Sequence, residues 1–181
     1  MRLLRASDYR VMPWRNGGGT TTELVIEPGD GDRFRFRASI ADVKESGPFS
    51  RFEGYDRHIM IVEGQGMTLA CGPHGDIDLA PFTPRSFSGD WDVTGKLHAG
   101  PVRDFNWIVD RDRARSELDV RIIDVPMKVH VSSGTCVIHV FSGSLREATA
   151  GETIVTTEDI ELTPQATTRA AIAYVRASSR T

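Results

Sequence analysis

Between Arg33 and Ile40 the chain reads Arg-Phe-Arg-Phe-Arg-Ala-Ser-Ile, a strict period of two. In an extended backbone Phe34, Phe36, Ala38 and Ile40 fall on one face, and Arg33, Arg35, Arg37 and Ser39 on the other. Helical spacing would scatter both sets, so the stretch reads as a strand. Residues 20–27 repeat the pattern with β-branched side chains, and runs of strand length recur at 58–63, 66–70, 103–109, 119–125, 135–141, 152–157 and 170–176. The 17 Gly and 9 Pro lie spread between these runs, the rhythm of an all-β domain.

The charged segment 109–119 reads as one helical turn or an exposed connector joining two halves. Those halves are distantly alike. Ile61-Val62-Glu63-Gly64 and Val140-Phe141-Ser142-Gly143 each end an apolar strand at a glycine. Gly89-Asp90 and Gly151-Glu152 each turn the chain into a further strand. The expectation is a duplicated antiparallel β-barrel, with units at 1–110 and 111–181.

Composition excludes several classes. Of the 181 residues 39% are hydrophobic, enough for a packed core, and a net charge of −3 argues against nucleic acid as a partner. No apolar run approaches the ~20 residues that span a bilayer, and the first ten residues lack the apolar segment of a secretory signal. A cytoplasmic protein that does not enter a membrane is expected. The 2 cysteines, Cys71 and Cys136, form no CxxC and read as buried reduced thiols.

Three segments carry candidate chemistry. Trp14-Arg15-Asn16-Gly17-Gly18-Gly19 sets an aromatic ring and an amide before a triple glycine, read either as a structural turn or as a cradle of backbone amides for an anion. In Gly47–His58 only one of Asp56 and Arg57 points inward, and an inward arginine needs a protein carboxylate or an anionic guest. Asp104 and Asn106 share one face of their strand while Phe105 and Trp107 share the other, giving a wet concave face or a solvated sheet.

The runs PWRNGGGTTTE, RFRASIADVKESGPFSRFEGYDRHIMIVEGQGMTL and GPVRDFNW closely resemble the HutD family, found in histidine utilisation operons and including the Ves proteins. The likeness is strong over residues 3–110 and weak beyond. It implies an all-β bicupin, two cupin-like antiparallel β-barrels in one compact chain, with a pocket in the first that holds a small anionic metabolite such as urocanate or formylglutamate. It implies a regulatory role in histidine utilisation and no cofactor. Carried over by motif, the ligand-binding residues are Trp14, Asn16, Arg37, Ser39, Arg57, Asp104 and Asn106. Phe36 departs from the tryptophan more usual in the family, which bears on pocket shape. Arg57, with Arg37 second, suits a carboxylate because its planar fork binds both oxygens.

The rival is a metal-dependent cupin enzyme acting on a small organic acid. Its usual His-x-His spacing is missing from the 5 histidines, and only His58 with Glu63 is suggestive. No Gly-x-Ser-x-Gly nucleophile elbow occurs. An interaction protein would instead use Trp91, Trp107 and Phe87 as anchors, and a homodimer through strand edges would protect those edges.

Overall fold

A computed structural model describes residues 1–178 and divides them into two units, Arg10–Asp112 and a second formed by Met1–Tyr9 with residues 113–178. Both are built from antiparallel strands, and among the described residues helix is confined to two short 3-10 turns.

In the Arg10–Asp112 unit a six-stranded sheet runs in the order Arg10–Pro13, Gly19–Pro28, Phe34–Val43, Val102–Asp110, Tyr55–Glu63, Arg85–Ser88. A four-stranded sheet contains Gly47–Pro48, Thr94–Leu97, Met67–Ala70 and Asp76–Leu79. Where one closed barrel was expected, hydrogen bonding runs through these two sheets. Ala41, Val43, Ile59, Ile61, Met67, Leu69 and Leu79 form its apolar core. Burying each of these side chains larger than alanine contributes about 1.5–3 kcal/mol before conformational entropy is subtracted.

The central strands are buried on both faces. Phe36 and Trp107, opposite the polar row, are fully enclosed with ring centroids 5.0 Å apart. Trp107 and Phe87 are therefore buried side chains and not exposed anchors.

In the other unit Arg2–Leu4, Thr153–Thr156, Thr135–Leu145, Pro164–Ala177 and Ala114–Ile123 form a five-stranded sheet over a core that includes Cys136, Ile138, Val140, Ile154 and Ile172. Two features differ from the sequence reading. Met1–Tyr9 joins this unit, because Arg2–Leu4 pairs with Thr153–Thr156 from the far end of the sequence, a contact that no local pattern reveals. The supposed connector at 109–119 is mostly strand. Arg115, Glu117, Asp119 and Arg121 alternate with Ser116, Leu118 and Val120, so the charges line the exposed face of a strand paired to Pro164–Ala177. The internal likeness is visible at Gly64 and Gly143, both at positive φ, where a side chain would strike the carbonyl oxygens of Pro101 and Thr167.

Candidate functional site

The triple glycine divides its labour. Gly17 takes φ +73°, a left-handed turn that closes with its N–H donating to Trp14 O at 3.1 Å. Gly18 N–H donates to Asn16 Oδ1 at 3.1 Å. Gly19 lies so close to the next strand that a Cβ there would sit 2.2 Å from Asp42 O and 3.0 Å from the Trp14 ring. The turn therefore folds Trp14 against the mouth of a cavity, where its indole N–H donates to Thr21 Oγ1 at 2.8 Å.

The sheet register supplies the walls. Across Phe34–Val43 and Val102–Asp110, Arg37 faces Ile108, Ser39 faces Asn106 and Ala41 faces Asp104. On the other side of Val102–Asp110, Arg57 faces Ile108. Side chains at these paired positions share a face, so residues distant in sequence meet in one row. The resulting cavity of about 620 Å³ is lined by all seven candidates: Trp14, Asn16, Arg37, Ser39, Arg57, Asp104 and Asn106.

Arg57 is 4% exposed. Its Nη1 donates to Ser50 O at 3.1 Å and its Nη2 to Asn106 Oδ1 at 2.6 Å, while its buried Nε has no hydrogen-bond partner. The guanidinium carbon stands 4.9–5.4 Å from the ring centroids of Phe49, Phe52 and Phe87. Such faces attract a cation while excluding water. Burial, with Arg37 nearby and against the pull of Asp104, lowers its pKa to about 10, so it stays charged at neutral pH. The alternation rule is satisfied by Asp56, which points away and accepts from Arg111 at 2.7 Å.

Asp104 is fully buried, and burial raises its pKa to about 7 against the lowering effects of Arg57 and Asn106. Its Oδ1 accepts from Asn106 Nδ2, and its Oδ2 has no hydrogen-bond partner. Arg37 is held by Glu23, with Nε and Oε2 2.8 Å apart. Asp104 and Asn106 thus form no solvated sheet face; they are the floor of a two-sign pocket.

Phe49, Phe52 and Glu23 carry no assigned role in the sequence motifs. The signal for the two rings was their position in the same Gly47–His58 segment as Arg57; nothing local marks Glu23 as the partner of Arg37. His58 turns away from the pocket and pairs with Ser86 Oγ at 2.8 Å. Among the described residues no group of three or more His, Cys, Asp or Glu is placed to hold a metal ion. Among the described residues no helix is long and apolar enough to cross a membrane.

The family model described as HutD matches residues 6–177. The chain belongs to the HutD family. An uncharacterized 21.2 kDa protein of the hutC 3' region in Pseudomonas putida is 40% identical over 155 residues, which cover 85% of this chain and 80% of that protein. Protein Ves of Escherichia fergusonii is 33% identical, covering 83% and 78%. The solved structure of HutD from Pseudomonas fluorescens superposes with a TM-score of 0.86 at 30% identity, covering 98% and 99%. An oxalate decarboxylase structure at 7% identity and TM-score 0.68, covering 100% of this chain and 78% of that one, shares the fold alone, which makes this HutD chain all-β and cupin-like. Within it Phe36 lies on the face opposite the pocket, so a change of ring at this position acts on packing and not on the cavity wall.

Proposed function

We propose that this HutD chain is a cytoplasmic protein that binds a small carboxylate metabolite in the cavity of its Arg10–Asp112 unit, without a metal. Binding would regulate histidine utilisation, with urocanate and formylglutamate as the candidate ligands. The observation that carries this reading is a buried guanidinium, Arg57, whose Nε lacks a partner at the wall of a cavity of about 620 Å³. An unsatisfied donor on a buried cation is costly, and a carboxylate supplies the acceptor. Arg37 offers a second guanidinium on the same wall, and Asn16 a free amide end at the mouth. The solved HutD of Pseudomonas fluorescens is described under a formate condition, formate being the smallest carboxylate.

A thermal-shift and calorimetric screen of histidine-pathway acids tests the reading. One acid should raise the melting temperature in a saturable way, since a ligand that binds only the folded state stabilises it. Absence of any saturable ligand, together with stoichiometric iron, manganese or zinc in the purified protein, would replace this reading by a metal-dependent enzyme.

A further inference from the structure

The role of Asp104 goes beyond holding Arg57, and the inference that follows rests on the carboxylate-binding reading. The charged groups of the pocket are matched in pairs. Arg37 is paired with Glu23 from the neighbouring strand. Arg57 is tied to Asp104 through Asn106, whose amide accepts from one and donates to the other. Of the groups around Asp104, Asp42 and Glu63, on the two strands that flank Val102–Asp110, both face Arg103, at 3.0 and 2.5 Å. Arg15 and Glu45 lie at the exposed margin of the cavity, where water screens them.

A carboxylate that enters this enclosure brings a negative charge for which no buried cation is spare. In a medium of low dielectric an uncompensated charge is expensive, and neutralising a group is the cheaper outcome. Asp104 is the one fully buried carboxylate on the cavity wall. Its Oδ1 is engaged by Asn106 and its Oδ2 is free, so a proton can settle on Oδ2 without breaking any hydrogen bond.

We propose that Asp104 is the proton acceptor of this pocket. A carboxylate guest enters together with one proton from solvent, which forms an O–H bond at Asp104 Oδ2 while the guest stays anionic against the guanidinium. Burial already holds this carboxyl near neutrality, at about 7, and the guest's charge pushes it further up. Affinity therefore falls as the pH rises through that range.

Sodium formate is the probe, since it carries no group that titrates near neutral pH. The full chain is titrated in weak buffer at about pH 8, with sodium chloride as control; a pH-stat reads proton uptake and thermal shift reads affinity. Uptake approaching one proton per bound formate is expected, with affinity falling about tenfold per pH unit on the alkaline side. Asp104→Asn should remove the uptake and make affinity independent of pH. Saturable binding without uptake by the wild-type chain, or uptake retained in Asp104→Asn, overturns the proposal and leaves the carboxylate-binding reading standing. No saturable effect of formate at any pH removes both.

Discussion

Arg57 and Asn106 are joined by a 2.6 Å hydrogen bond from Nη2 to Oδ1, although 49 positions of sequence separate them. That bond fixes the amide orientation, since the opposite one would set an N–H against the guanidinium. It also turns the Nδ2 group of Asn106 toward Asp104, so one side chain relays between the two buried charges.

Replacing Arg57 by Ala should abolish carboxylate binding in calorimetry, because hydrogen bonds to a charged group contribute about 1.5–3 kcal/mol each. The variant also leaves Asp104 buried without its cation, and about 3–5 kcal/mol of stability should be lost in denaturant unfolding. Arg57→Lys restores the charge but not the fork, and should recover stability more than affinity. Wild-type affinity in Arg57→Ala would remove this residue from the site.

The free protein should become less stable, relative to Asp104→Asn, as the pH rises. Asp104 has a folded-state pKa of about 7, above its unfolded value. The native state therefore holds the proton more tightly, and this contribution is full below the unfolded pKa and lost as the pH climbs through about 7. Melting temperatures of both proteins across that range are the measurement; parallel curves would contradict the assignment.

Gly19→Ala tests the close approach at the mouth. The added methyl meets backbone, Asp42 O at 2.2 Å, and so cannot be absorbed by a side-chain rotation. Overpacking of this kind costs about 1–3 kcal/mol. A lowered melting temperature and altered Trp14 fluorescence are expected; Gly47→Ala, where a Cβ meets nothing within 4 Å, is the control.

Phe36→Trp separates packing from pocket shape. The larger ring must fit against Trp107 in a fully buried position, so stability should change by about 1–3 kcal/mol. Ligand affinity should stay within twofold of wild type, since Phe36 is no part of the cavity wall. A large change in affinity at constant stability would place it in the site.

What the sequence determined by itself follows from short-range rules. A period of two can only be satisfied by strands, so the alternations at 20–27 and 33–40 settled the all-β class, and alternation also showed that Arg57 and Asp56 diverge. The three recognisable runs settled the family. Tertiary structure alone decided the rest, because pairing between distant strands depends on register, and a slip of one residue reverses every side chain. Register set Arg37 and Ser39 in one row with Asp104 and Asn106, which the arginine-rich face of 33–39 gave no means to tell from a solvated one. It also carried Arg2–Leu4 to Thr153–Thr156, against the expectation that the chain's start packs with its first half. The burial that makes Asp104 and Arg57 chemically unusual is likewise a property of the assembled sheet: only neighbours brought in from other strands can strip both groups of water.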